Sequence, residues 1–253
     1  MAGPQALPYH PRPPALQRLL RAVRNHPCVL LSAPRGHGKT SLIENELSPT
    51  LLDEGWRVSI IDLQSPVLPM MLLDLRNIAS EGDPLAMAAL RDHGGIPAHQ
   101  QVAQALAWIA ERSHDPHLLV LENAHVLAEP GYNRLATAMF NALQGNLRQL
   151  HVLFTVSSRL AMDELFSRHG APFQHAAYSV ALDSMQEDFL LARTNQLAGL
   201  GINVHIADLA NCLLRQSYNL ASFERVLQCL INGEAVDLAD AERHCHKTPE
   251  TMA

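Results

Sequence analysis

Gly36, Gly38, Lys39 and Thr40 fall within one short run, LLSAPRGHGKTSL, from Leu30 to Leu42. Glycines let a backbone curl so that its N–H groups face inward around an anion. A helix starting directly after them adds the positive end of its dipole. A lysine at this spacing reaches the β- and γ-phosphates of a nucleotide, and the threonine hydroxyl beside it sits on Mg²⁺. The run therefore reads as a phosphate-binding loop, G-x-x-x-x-G-K-[ST], with Ala33 in place of the first glycine. The alanine is expected to be tolerated with slight backbone strain. The candidate contacts to ATP or ADP are Pro34, Arg35, Gly36 and His37, then Gly38, Lys39, Thr40 and Ser41.

Further along, Glu122 ends the apolar run HLLVL. An acidic residue at the C-terminal end of a buried strand lies where open α/β sheets bind ligands. Its carboxylate is a candidate to hold Mg²⁺ through the metal's water shell, with Thr40 as the other metal contact. The next residue is Asn123, where many such ATPases carry a glutamate that polarises the attacking water. An amide cannot take a proton, so water activation is expected to be weak unless another group helps; the alternative is that Glu122 itself orients the water. Ser157 and Ser158 follow the run LFTV and are candidates to touch the γ-phosphate or position water. The plainer reading makes them turn serines. Arg168, in ELFSRHG, is a candidate finger projecting from a short helix to a neighbouring subunit's nucleotide. The plainer reading makes it a solvated surface arginine.

These residues need a scaffold that brings distant segments to one edge. Residues 1–14 carry five prolines and read as a flexible arm. A helix follows over 15–25. Short apolar runs at 28–33, 56–63, 117–121, 151–156 and 175–180 read as buried parallel strands. Between them lie helical patterns, among them 98–112 and 132–144, and 66–94 with breaks at Asp83-Pro84 and Gly94-Gly95. Strands alternating with helices predict an α/β domain with a five-stranded parallel sheet over 15–182. After Leu182 only helical patterns remain, near 184–199, 205–216, 219–232 and 237–245. They predict a small all-α lid over 183–246, with 247–253 as a tail.

Composition narrows the class. The 253 residues are 47% apolar and 17% charged, as in folded domains. The net charge of −6 and the lack of any basic run argue against tight DNA binding by a monomer. The four cysteines show no metal or disulfide spacing, and Cys28, Cys212 and Cys229 are expected in the core. His244, Cys245 and His246 are too close together for the usual metal set. No window reaches the length of a membrane span, and the start of the chain has no apolar signal run. A cytoplasmic protein is expected.

Taken in order, APRGHGKTSL, LLVLENAH, HVLFTVSS and DELFSRHG resemble the motifs of the AAA+ ATPase superfamily. The likeness spans nearly the whole chain after the proline arm. It is nearest to the initiator and loader branch: origin-recognition subunits, DnaA-type regulators, clamp loaders and transposition regulators. The resemblance implies that Lys39 and Thr40 are Walker A, Glu122 is Walker B, Ser157 or Ser158 is sensor 1, and Arg168 is the arginine finger. It implies a helical lid with a sensor 2 arginine at the start of its third helix. In SYNLASFERVLQCL that position is Ala221, and Arg225 lies a turn further on. Ala33, Asn123 and Ala221 each weaken hydrolysis more than binding. The implied function is an ATP-dependent assembly switch that loads or regulates a protein partner, with slow or partner-stimulated ATP hydrolysis. Its partners would be AAA+ subunits of one or several kinds, and DNA reached through the assembly. The alternative is a non-catalytic nucleotide-binding scaffold subunit. A small-molecule kinase fits less well, because no arginine-rich lid lies within the α/β part.

Overall fold

The structure, a computed structural model, describes residues 7–63, 68–79, 95–144, 149–185 and 187–247. It divides into two compact units. One holds Pro13–Ala33 and Leu42–Leu182. The other holds the residues up to Arg12, the segment Pro34–Ser41, and the residues from Asp183 on.

The first unit is built on five parallel strands in the order β2-β3-β4-β1-β5: β1 Cys28–Ser32, β2 Arg57–Asp62, β3 His117–Glu122, β4 Leu150–Val156 and β5 Tyr178–Ala181. Both faces of the central strands are apolar, as a sheet covered on both sides requires. Val29 and Leu31 of β1 and Leu118 and Val120 of β3 pack with helix α1 (Pro13–Asn25), where Leu19, Leu20 and Val23 form the buried stripe. That layer also takes Leu42, Ile43, Leu47 and Leu51, along α2 (Lys39–Leu42), a π-type turn (Ile43–Leu47) and α3 (Ser48–Asp53). The alternate residues Leu30, Leu119, Leu121, Val152 and Phe154 face α4 (Leu68–Ala79), α5 (Ala98–Arg112) and α6 (Asn133–Leu143).

Sequence and structure differ at the sheet edges. β2 was expected to be buried, but it is an edge strand: Ile60 is 40% exposed, and of β2 only Ile61 is buried. A short apolar run cannot distinguish a central strand from an edge strand with one covered face. The expected strand 175–180 begins only at Tyr178, because His175 has a left-handed backbone (φ 60°) that ends regular pairing. The expected break at Asp83-Pro84 lies outside the described residues.

After the short α7 (Arg159–Met162) of the first unit, the described residues from 187 on form the helices α8 (Glu187–Gly199), α9 (Ile206–Arg215), α10 (Leu220–Ile231) and α11 (Leu238–Lys247) of the second. Phe189, Leu197, Leu209, Cys212, Phe223 and Leu227 form its core. Arg193 is buried inside it, donating to Pro8 O (2.8 Å), Gln196 Oε1 (2.7 Å) and Glu224 Oε1 (2.5 Å). Part of the supposed arm is therefore packed: Leu7 joins this core, and Pro8 O accepts from a buried guanidinium. The cysteines are free thiols; burial pushes Cys28, Cys212 and Cys229 up to about 12, which suits packing rather than reactivity. Among the described residues no helix is long and apolar enough to cross a membrane, and no group of three or more acidic, His or Cys residues could hold a metal ion.

Candidate functional site

β1 and β4 are neighbours whose following connections run to opposite edges of the sheet, one to β2 and one to β5. Crevices form at the C-terminal ends of such strands. The chain leaves β1 here: the Ala33 N–H still donates to Val156 O at 3.3 Å, and the phosphate loop begins at Pro34. Among the described residues the non-glycines with positive φ are Asn123, His175, Ser217 and Tyr218. Ala33 is not one of them, so the strain expected there is absent. The residue extends the strand and needs no glycine.

Within the loop Gly36 and Gly38 have φ of +79° and +80°. Only glycine takes such values without cost. Gly36 has a second reason to lack a side chain: a Cβ there would sit 2.1 Å from Asn219 Oδ1. The Leu220 N–H donates to Gly36 O at 2.8 Å, so the start of α10 is tied to the loop's backbone. Arg12, buried, donates to His37 O at 2.9 Å and also to Asp183 O. Burial, and then the Lys39 charge, hold the His37 ring below its ordinary pKa. Lys39 is 8% exposed and donates to Pro34 O at 3.1 Å. Thr40 is exposed and Ser41 half-buried. Sequence reasoning found the loop and missed Arg12, Asn219 and Leu220. The signal for Asn219 was present, as a helix-capping residue before an apolar run: its Oδ1 accepts from Ser222 N at 3.0 Å.

In the α/β unit, Glu122 is the last residue of β3, 8% exposed, and pairs in register with Asp62 of β2. Asn123 turns left-handed (φ 56°), which asparagine tolerates better than most residues. Its N–H donates to Thr155 Oγ1 at 3.1 Å and its amide Nδ2 to Asp62 Oδ1 at 2.8 Å. The Asn123 side chain, where the sequence leads one to expect a water-activating group, is thus engaged by a neighbouring strand. Asp62 and Thr155 were not singled out from sequence, since neither stands in a recognisable pattern. Ser157 and Ser158 follow β4 directly. Ser158 Oγ accepts from Ala161 N at 3.3 Å and so caps α7. Arg168 lies one residue past the π-type turn Asp163–Ser167, not on a helix; its N–H closes that turn on Asp163 O at 2.8 Å, and its side chain is exposed. In the helical unit, Ala221 and Arg225 are both exposed on α10.

No family model and no curated protein matches the sequence. Solved structures do match in three dimensions. The Walker-type ATPase PABY2304 of Pyrococcus abyssi superposes with a TM-score of 0.63 at 14% identity, covering 92% of this chain and 70% of that one. The ORC1 protein of Aeropyrum pernix, solved in complex with DNA, gives 0.59 at 15% identity over 96% of this chain and 65% of that one. The ORC2 protein of the same organism, in its ADPNP–ADP complexes, gives 0.57 at 16% identity over 95% and 66%. The chain thus spans about two thirds of the length of the two Aeropyrum proteins. At these identities the likeness establishes the fold, and that fold is the AAA+ P-loop NTPase fold, a parallel α/β core followed by helices.

Proposed function

We propose that this chain is an ATP-binding switch whose nucleotide state controls its assembly with other AAA+ subunits. Through that assembly it would load or regulate a protein partner, in DNA replication, transposition or a related DNA transaction in the cytoplasm. The observation that carries this reading is the hydrogen bonding of the loop's own backbone. Gly36 O and His37 O are held by Leu220 at the start of α10 and by Arg12, which also holds Asp183 O. A phosphate settling on the loop acts on the same backbone. A ligand shifts a conformational equilibrium by its differential affinity for the two states, and here loop and helical segment share the bonds at stake. The reading gives the Thr40 hydroxyl and the Glu122 carboxylate to Mg²⁺, hard oxygen donors that suit it beside phosphates. It gives Lys39 to the phosphates, Ser157 to the γ-phosphate, and the exposed Arg168 to a neighbouring subunit's nucleotide.

Hydrolysis would be slow or partner-stimulated, because the Asn123 amide donates to Asp62 and cannot act as a base. The same bond favours a second reading, a non-catalytic scaffold subunit. Mass photometry with ADP, ATP and a slow ATP analogue, with phosphate release followed in parallel, distinguishes the two. The switch requires ATP-driven assembly that Lys39→Ala abolishes and Arg168→Ala weakens. Binding without assembly or turnover supports the scaffold. A wild-type chain that binds no nucleotide overturns both.

A further inference from the structure

Spacing along the chain pairs none of the cysteines, but the fold of the helical unit brings two of them together. Cys229 lies in the last turn of α10 and Cys245 in the last turn of α11. Their Sγ atoms stand 3.3 Å apart, both as free thiols. A disulfide bond is about 2.05 Å long, so joining them needs an approach of roughly 1.3 Å. The partners differ in access: Cys229 is buried and Cys245 is half-buried. Burial, and then the hydrogen bond with Cys245, push the Cys229 thiol up to about 12, so it is not the group that meets an oxidant first. Cys212 of the same unit lies near enough to feel a charge on Cys245, but it is fully buried.

α11 is the element that such a bond would fasten. It reaches the core of the unit through Leu238, Ala241 and Cys245, one stripe at helical spacing, and of these only Ala241 is fully buried. Arg215 of α9 also grips it, its Nε donating to Glu242 Oε1 at 3.0 Å and Oε2 at 3.1 Å. Arg215 is exposed, and an ion pair open to water contributes little. Elements with few buried apolar contacts open at low free energy. A covalent link to α10 adds a hold stronger than either.

We propose that Cys229 and Cys245 are an oxidation site that takes hydrogen peroxide and closes to a reversible disulfide, locking α11 onto α10. The Cys245 sulfur attacks one peroxide oxygen. The O–O bond breaks, the sulfur keeps a hydroxyl as a sulfenic acid, and the thiol proton leaves with the other oxygen as water. The Cys229 sulfur then attacks the Cys245 sulfur. The S–S bond forms, the S–O bond breaks, and the hydroxyl departs with the Cys229 proton as a second water. The two thiols lose two electrons, and the peroxide is reduced to two waters. A dithiol reductant restores the thiols by exchange. None of these steps depends on whether the phosphate loop binds nucleotide.

In the test the full reduced chain is treated with hydrogen peroxide, its remaining thiols are capped with N-ethylmaleimide, and the digest is read by mass spectrometry without reductant. The expected product is a peptide pair joined through Cys229 and Cys245, which dithiothreitol separates. In Cys229→Ser, Cys245 is expected to stop at the sulfenic acid and to be trapped by dimedone. In Cys245→Ser, Cys229 is expected to stay a thiol at the same dose. Hydrogen exchange reads the lock. The amides of α11 are expected to exchange at least about tenfold more slowly in the oxidised chain, within the hundredfold or so that closing a loop of this length allows. Both readouts on the wild type stand if a serine variant fails to fold. The proposal is overturned if Cys245 oxidises without joining Cys229, if it joins Cys212 instead, or if no thiol is lost while the chain stays folded. It is also overturned if the link forms and α11 exchanges as fast as before.

Discussion

His117 shows how one buried side chain ties stability to pH. Its folded pKa of about 4 lies below the roughly 6.5 of an unfolded histidine. The fold therefore prefers the neutral ring. That contribution is complete above pH 6.5 and is lost as the pH falls toward 4. Between pH 7.5 and pH 5 the loss from this residue is on the order of 2 kcal/mol. Urea denaturation at the two pH values is expected to show it, and His117→Gln to flatten the difference. A variant as acid-sensitive as the wild type would assign the effect to other groups. At the same scale Asn123 illustrates a limit of motif reading. The sequence marks it as the wrong residue for water activation, and the structure shows what it does do, bonding Asp62 and Thr155 from a left-handed turn. That partnership joins residues 61 positions apart, and no local pattern announces it.

Among the elements, the phosphate loop and the start of α10 are one construction within their unit. Gly36→Ala and Gly38→Ala both force a left-handed residue to carry a Cβ, at about 1–2 kcal/mol each. They differ in their surroundings. The Cβ on Gly36 collides with Asn219, while that on Gly38 finds ordinary contacts at 3.4 Å from Arg12 and Leu220. Gly36→Ala is therefore expected to be the more destabilising, and Asn219→Gly to recover part of its loss but none of that of Gly38→Ala. A thermal-denaturation double-mutant cycle measures this coupling. Equal, additive losses would mean the loop and α10 are not in contact in solution. Elsewhere the periodic patterns were easily read. The reading of 98–112 matches α5 residue for residue, and 117–121 misses only the terminal Glu122 of β3. Such elements are set by local spacing of apolar residues. The edge position of β2 was not legible, because strand order depends on which connections cross the sheet.

For the molecule as a whole, a ligand that binds only the folded chain stabilises it by mass action. At about one hundred times its dissociation constant, ADP is expected to add about 2.7 kcal/mol. For a chain of this length that is a rise in melting temperature of roughly 5–10 °C. Lys39→Ala should abolish the rise without lowering the melting temperature of the free protein by a comparable amount. A wild type that melts at the same temperature with and without nucleotide would leave the loop without a ligand.

The amino-acid sequence alone determined the α/β class, the helices and central strands, and the phosphate-loop pattern. Each of these rests on residues close together in the chain, where spacing and residue type carry the physics. Only the tertiary structure decided what those residues meet. Arg12 reaches His37, Arg193 is shared by Pro8 and Glu224, Asn123 faces Asp62, and His117 meets Ser59. These are polar groups whose cost of burial is offset by partners far away in sequence, and such partners are chosen by how the elements pack.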